Sequence, residues 1–305
     1  MQYSSTSTST STSSSHSRLS VPADAWDSHV HVIDPVNFPP SPDATYKAHA
    51  ALLPDLIKSS QRLQVPNLVF VQVSTYGHDN SCQLAALKAL GGPSRGRVVV
   101  EFDPASIELA TLREWHEQGV RGVRINLKSV GKEVSGDELA SLIRSYAKVI
   151  KPLGSWAIDL HVALASIPHL EPLLPELADQ GTNLVIDHMG SPPGLRRDMS
   201  SLPGRSSLLT LLRRHDNFHV KISAPYRFCR DRSFGSLEHV VRPLLEARQG
   251  KGVLWASDWP HTRFETAEVG PWIERCLEWC DGDQGVLDQL FRENARDVWD
   301  VKDGE

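Results

Sequence analysis

The 305-residue sequence lacks any run of about twenty apolar residues, the length that a membrane-spanning helix needs. It also lacks a basic excess, since 32 lysine and arginine residues are outnumbered by 37 aspartate and glutamate residues and the formal net charge is −5. Proteins that bind nucleic acid usually carry a basic patch or stripe. We therefore expect a protein that acts on a small molecule, with neither nucleic acid nor a membrane as its partner.

Cysteine is scarce, and the four cysteines are Cys82, Cys229, Cys276 and Cys280. They are too few and too scattered to form a disulfide framework in a chain of this length, which fits a reducing compartment. Cys276 and Cys280 would share one face of a helix, where we interpret them as small buried apolar side chains rather than a metal or redox pair. We expect a cytoplasmic protein.

The N-terminal segment is low in complexity, because residues 3–20 are almost entirely serine and threonine. It contains no apolar stretch of signal-peptide length and lacks the repeated arginines of an organelle transit peptide. This composition predicts a disordered tail over residues 1–22, followed by a single domain over residues 23–302.

Beyond the tail, short apolar runs alternate with longer amphipathic segments, a pattern typical of alternating strands and helices. Several runs are continuous stretches of β-branched residues, which favours strands buried on both faces of a parallel sheet. The eight predicted strands are Ala25–His31, Leu68–Val73, Arg97–Phe102, Gly122–Leu127, Trp156–Val162, Asn183–His188, His219–Ser223 and Gly252–Ser257.

Amphipathic segments with helical periodicity lie between these runs. The predicted helices are Ser81–Leu90, Ser106–Gln118, Gly136–Leu153, Ile167–Gln180, Ser206–His215, Phe234–Gln249 and Thr266–Cys280. Such a repeat closes most naturally into a single (β/α)8 barrel, the TIM-barrel fold of the α/β class. An open doubly wound sheet is the main rival, but no Gly-rich phosphate loop follows the first strand.

Polar residues that end the apolar runs are the candidates for chemistry, because the active site of such a barrel lies at the C-terminal ends of its strands. His29 and His31 end the first run, and residues two apart on a strand point the same way. His161 is the last polar residue of the fifth run, His188 ends the sixth, and Asp258 follows the eighth. Each could be an ordinary structural residue, but together they predict an active site.

Imidazole and carboxylate groups are common ligands of zinc and related divalent ions. Three such ligands and an open position for water make a hydrolytic metal site. The same side chains can also act without a metal, as acids, bases and hydrogen-bond donors. The sequence therefore leaves metal dependence open.

With these residues at its strand ends, the sequence resembles the amidohydrolase superfamily. Within it, the resemblance is to the amidohydrolase-2 branch, which contains pyrone-dicarboxylate lactonases, aldonolactonases and metal-dependent decarboxylases. The resemblance extends from residue 25 to about residue 300. The segments that carry it are WDSHVHV at the first strand, RGVRINL at the fourth, LVIDHMG at the sixth, LWASDWPH at the eighth and LFRENARDVW near the C-terminus.

The two kinds of relative imply different cofactors. The resemblance to the decarboxylases implies one divalent ion, zinc or manganese, with His188 in proton chemistry and the metal held by His29, His31, His161 and Asp258. The pyrone-dicarboxylate lactonases carry no metal and have tyrosine at the position of His161. In that case His161 would contact the substrate. No organic cofactor is expected.

The resemblance to the lactonases also implies substrate-binding residues. Arg124 and Arg227 would hold substrate carboxylates, and Ser74 and Tyr46 would help to orient the substrate. A guanidinium group suits a carboxylate because it donates two parallel hydrogen bonds. The alternative is that both arginines form ordinary ion pairs at the barrel rim.

One departure from the lactonase pattern concerns the substrate. Those enzymes have a further carboxylate-binding arginine where this chain has Val130, and Lys128 is the nearest cation. We therefore expect a different lactone, or another carboxylated or phenolic ring, rather than the dicarboxylated pyrone itself.

The leading hypothesis is a hydrolase that opens a lactone or similar cyclic ester of a carboxylated substrate. Asp258 would act as general base toward water, and the carbonyl would be polarised by His29, His31 and His188, directly or through a metal. One alternative is a metal-dependent non-oxidative decarboxylase that uses the same residues. Another is a catalytically silent barrel that binds a ligand. The sequence does not predict the oligomeric state.

Overall fold

The computed structural model describes residues 20–193 and 202–302. The predicted disordered tail, apart from its last three residues, lies outside the described part of the chain. Among the described residues, no helix has the length and apolarity to cross a membrane. All four cysteines are free, and Cys276 and Cys280 are buried as expected.

Eight parallel strands form one sheet in which each strand pairs with the next along the chain. The sheet closes where β1 meets the segment after β8, since the His31 amide donates to the Trp259 carbonyl at 2.9 Å. The strands are β1 (Trp26–Val30), β2 (Asn67–Val71), β3 (Gly96–Val100), β4 (Val120–Asn126), β5 (Ala157–His161), β6 (Asn183–Ile186), β7 (Phe218–Ile222) and β8 (Val253–Trp255). The predicted (β/α)8 barrel is confirmed.

Helices cover the outside of the sheet. They are α1 (Leu53–Leu63), α2 (Ser81–Leu90), α3 (Leu109–Gln118), α4 (Gly136–Ile150), α5 (Leu174–Ala178), α6 (Arg205–Arg214), α7 (Glu238–Ala247), α8 (Gly270–Trp279), α9 (Gln284–Asp288) and α10 (Asn294–Val298). Helix α1, with a proline in its first turn, was not among the predicted helices.

Two predicted helices differ from the structure for local reasons. The first half of the segment predicted as Ile167–Gln180 is a 3-10 helix that contains Pro168 and Pro172, and proline cannot donate the backbone hydrogen bonds of an α-helix. Helix α3 begins at Leu109 rather than at Ser106, because the Ser106 hydroxyl donates to Asp103 in the preceding turn.

The N-terminal end of the barrel is filled from the C-terminus of the chain. Trp299 is fully buried among interior strand residues such as Val69 and Leu254. Its carbonyl accepts a hydrogen bond from Arg97, near the start of β3, at 2.9 Å. Since this end is filled by apolar side chains, the opposite end carries the accessible site.

Candidate active site

A cavity of about 250 Å³ lies at the C-terminal ends of the strands. It is lined by eight of the nine predicted site residues: His31, Tyr46, Ser74, Arg124, His161, His188, Arg227 and Asp258. The ninth, His29, is fully buried, and its ring contacts those of His31 and His188. A wider open cleft beside Trp259 and Pro260 is lined by none of the nine.

Asp258 lies at the centre of the histidine cluster. Its Oδ1 is 3.7, 3.7 and 3.9 Å from three imidazole Nε2 atoms, those of His29, His31 and His188. Its Oδ2 accepts hydrogen bonds from Arg227 and from the Tyr226 hydroxyl. One carboxylate oxygen is thus tied to the protein, while the other faces the cluster.

Each histidine is oriented by a partner behind it. The Nδ1 of His31 donates to the Val71 carbonyl at 2.7 Å, which leaves a lone pair on its Nε2. The Nδ1 of His188 pairs with the Ser223 hydroxyl at 2.7 Å. Such contacts fix the rotation of an imidazole ring and the side that it presents to the pocket.

His161 stands slightly apart from this cluster. Its Nδ1 lies 3.1 Å from the Ser129 hydroxyl and its Nε2 lies 2.8 Å from the Ser191 hydroxyl. Its ring still contacts that of His188, with centroids 4.8 Å apart. The structure therefore places His161 in the pocket wall, with both ring nitrogens on serine hydroxyls.

Burial sets the charge of these groups. It lowers the pKa of His31 to about 4 and also lowers the pKa of His29, His161 and His188, so the imidazoles are neutral at pH 7. Burial alone would raise the pKa of Asp258, but the Arg227 guanidinium holds it well below its usual range. The site therefore combines an ionised carboxylate with neutral imidazoles.

The predicted substrate-binding residues form the remaining wall. Arg124 donates through Nη1 to the Gln72 carbonyl at 2.6 Å, and its Nη2 lies 3.8 Å from Asp187. The Ser74 hydroxyl accepts a hydrogen bond from Asn126 at 2.6 Å. At the rim, the Arg263 guanidinium stacks on the Tyr46 ring at 4.3 Å from its centroid, and Lys128 also lines the cavity.

Sequence reasoning missed an ionic cluster beneath the pocket. Lys221, Asp159 and Asp187 are fully buried, and the Lys221 ammonium lies 2.7 and 3.1 Å from the two carboxylates. The signal that could have revealed the cluster is an ionisable residue within an apolar strand. Asp159 is two residues before His161 and therefore faces the same side of β5. Tyr226, the hydroxyl partner of Asp258, was also missed.

The donor set fits a divalent metal ion. Ligand atoms of His29, His188 and Asp258 all lie within 4.8 Å of one another. The Nε2 of His29 has no hydrogen-bond partner among the described residues, although it is fully buried. A mixed imidazole and carboxylate set of this kind is typical of zinc and related ions.

Comparison with known proteins gives consistent matches. The amidohydrolase family model matches residues 26–301. A 2-pyrone-4,6-dicarboxylate hydrolase from Comamonas testosteroni is 30% identical over 262 residues, covering 81% of this chain and 80% of that protein. A 4-sulfomuconolactone hydrolase from Rhizobium radiobacter is 26% identical over 249 residues, covering 80% and 78%. A solved structure from Pseudomonas putida, of a candidate 2-pyrone-4,6-dicarboxylic acid hydrolase, has a TM-score of 0.74 and 30% identity, covering 92% of this chain and 98% of that one.

Proposed function

The chain belongs to the amidohydrolase family and is a hydrolase, and we propose that it opens the lactone ring of a small carboxylated substrate by attack of water. Two relatives named as hydrolases of a carboxylated pyrone and of a sulfonated lactone support this reaction class. The observation that carries the proposal is the free Oδ1 of Asp258, which faces three neutral imidazoles in a pocket whose wall also contains four cationic side chains, those of Arg124, Lys128, Arg227 and Arg263.

Asp258 is the general base in this proposal. Its Oδ1 takes a proton from water as the water attacks the lactone carbonyl, while Oδ2 stays on Arg227 and Tyr226. Because one oxygen is fixed, the other has a defined direction when the proton is transferred. The ring ester bond then breaks, and the leaving oxygen takes up a proton to give a hydroxy or keto acid.

His29, His31 and His188 surround the position where charge develops on the carbonyl oxygen. A neutral imidazole with its proton on Nε2 can donate a hydrogen bond to this oxygen without the cost of bringing in a full charge. His31, whose Nδ1 donates to the Val71 carbonyl, presents a lone pair instead. The hydrogen bonds on the far side of the rings fix their orientation before the substrate binds, which lowers the entropic cost of aligning them with the carbonyl. His161 lies in the wall beside them as a predicted substrate contact.

Arg124 and Arg227 provide positive charge for a substrate carboxylate, with Ser74 and Tyr46 beside them. Arg124 is nearly fully buried, so an ion pair with the substrate would be weakly screened by solvent. Because Arg227 already pairs with Asp258, we propose that Arg124 is the main binding partner of the substrate carboxylate.

Residues of the cluster would also hold a divalent ion. The ligand atoms of His29, His188 and Asp258 lie within 4.8 Å of one another. The predicted set of His29, His31, His161 and Asp258 is the alternative arrangement. Zinc or manganese in this position would polarise a carbonyl and lower the pKa of a bound water.

The experiment is a lactone hydrolysis assay with the purified chain. 2-Pyrone-4,6-dicarboxylate, its monocarboxylated analogues and 4-sulfomuconolactone serve as probes, with the loss of ring absorbance and the product mass as readouts. We expect a product that has gained one water, and much slower formation of this product with Asp258→Asn. A product that has lost carbon dioxide would instead identify a decarboxylase, and no turnover of any probe, with or without zinc or manganese, would overturn the proposal.

A further inference from the structure

Lys221 is a fully buried cation that the reaction as proposed does not use. Its side chain is 0% exposed and does not line the cavity. The ammonium lies 2.7 Å from Asp159 Oδ2 and 3.1 Å from Asp187 Oδ1, which compensate the cost of removing it from water. The ring of Trp299 covers it from the filled end of the barrel, at 5.4 Å from the ring centroid.

The third neighbour of this ammonium is a residue of the active site. Lys221 Nζ lies 3.1 Å from Nδ1 of His29, with hydrogen-bond geometry. Asp187 Oδ1 lies at the same distance from Nδ1 but outside hydrogen-bond geometry, and it has no hydrogen-bond partner among the described residues. An ammonium group can only donate, so Nδ1 of His29 accepts.

This contact decides which ring nitrogen of His29 carries the proton. A neutral imidazole has one N–H, and if Nδ1 accepts, the proton is on Nε2. That atom faces Asp258 Oδ1 at 3.7 Å and has no other partner among the described residues. His31 has the opposite arrangement, because its Nδ1 donates to the Val71 carbonyl.

We propose that Lys221 is a positioning residue that keeps the proton of His29 on Nε2, so that His29 enters the site as a hydrogen-bond donor. The catalytic meaning of this donor, which is to stabilise negative charge on the lactone carbonyl oxygen, rests on the proposed function. The position of the proton does not rest on it.

The same contact opposes metal binding through His29. A metal ligand must offer a lone pair, and Nε2 of His29 offers none while it carries the proton. The Lys221 ammonium is a second obstacle, because its positive charge lies directly behind the ring and repels a cation. Removing this ammonium therefore removes both obstacles. A purely structural role predicts the reverse, because a displaced His29 would be a poorer ligand.

The experiment uses metal-stripped, substrate-free protein labelled with 15N in histidine, with the His29 signals assigned from a His29→Asn spectrum. In the wild-type chain we expect an unprotonated Nδ1 and a protonated Nε2. In Lys221→Met we expect a shift toward the Nδ1–H form, with Asp187 as acceptor. Asp159→Asn, which changes the same cluster but retains Lys221, is the matched control and should keep the wild-type pattern.

Zinc affinity measured by calorimetry gives the second readout. Loss of a charge at this distance predicts tighter zinc binding by Lys221→Met, by about tenfold or more. An Nδ1–H form in the wild type, an unchanged tautomer in Lys221→Met, or weaker zinc binding by it would overturn the proposal. If Lys221→Met does not fold, the double variant Asp159→Asn/Lys221→Met removes the ammonium together with one of its two carboxylate partners. The same tautomer shift and the same tighter zinc binding are expected of it. Because neither readout needs turnover, the inference and the proposed function can fail separately.

Discussion

Arg227 holds Asp258 through two nitrogens on a single oxygen, since its Nε and Nη2 lie 3.1 and 3.0 Å from Oδ2. The other carboxylate oxygen remains directed at the histidine cluster. This arrangement divides the carboxylate into an anchored oxygen and a reactive one. It also gives Arg227 a role that does not depend on the substrate carrying a carboxylate.

Arg227→Met should therefore lower kcat/KM by about 10- to 100-fold for carboxylated and uncarboxylated lactones alike, which is the value of a charge-assisted hydrogen bond. Steady-state kinetics on a matched pair of lactones measures this. Tyr226→Phe, which removes a hydroxyl donor but no charge, is the control and should lose less. A loss restricted to the carboxylated lactone would show that Arg227 mainly binds substrate.

Arg124→Met should have the contrasting effect. Its guanidinium is 4% exposed in the cavity wall, so its loss should raise KM for a carboxylated lactone by about 10- to 100-fold. An uncarboxylated analogue should be nearly unaffected. Arg95→Met, at an arginine remote from the cavity, serves as the control. Equal losses on both lactones would contradict carboxylate binding by Arg124.

Asp258→Asn preserves the shape of the side chain but removes its basicity. We expect kcat to fall by about 10²- to 10⁴-fold, the usual contribution of a general base. Thermal unfolding should show that the variant is folded, and Asp55→Asn on the exposed face of α1 is the control. Retention of wild-type kcat would exclude Asp258 as the base.

Removal of metal by a chelator should leave lactone hydrolysis within about twofold of its starting rate, if Lys221 keeps the His29 proton on Nε2 as inferred. Elemental analysis of chelator-free protein, followed by assays before and after stripping, measures this. Loss of activity that returns on addition of zinc or manganese would instead support metal-dependent hydrolysis. His161→Ala and His188→Ala would then distinguish the two ligand sets by metal content.

Acid should destabilise the fold through His219, which is 6% exposed, lies near the start of β7 and does not line the cavity. Burial lowers its pKa to about 3, so below its ordinary pKa of 6.5 the unfolded chain takes up a proton that the folded chain does not. Stability should fall as the pH drops below 6.5, by about 2 kcal/mol between pH 7.5 and 5.0 from this residue.

Urea unfolding at the two pH values measures this loss. His219→Gln should reduce the difference between pH 7.5 and pH 5.0 relative to the wild type. The exposed His78→Gln is the control and should not change it. An unchanged pH dependence in His219→Gln would mean that other buried groups account for the acid sensitivity.

The barrel and the residues at its mouth could be predicted because both are local properties of the chain. Continuous apolar runs specify strands buried on both faces, and the residue that ends each run lies at the C-terminal edge. His29 and His31 share a direction because side chains on a strand alternate. Helix α2 was predicted with its bounds because no proline or glycine interrupts the segment Ser81–Leu90, whereas prolines changed the segment before α5.

Which strand ends meet across the barrel was decided only by the tertiary structure. Sequence position gave no reason for His188 to lie closer to Asp258 than His161 does. It also gave no reason for Arg227 to pair with Asp258 or for Lys221 to lie behind His29. These contacts join strands that are distant along the chain, and they depend on the tilt and stagger with which eight strands close. Alternation along one strand fixes the face on which a side chain lies, but only closure of the sheet fixes its neighbours.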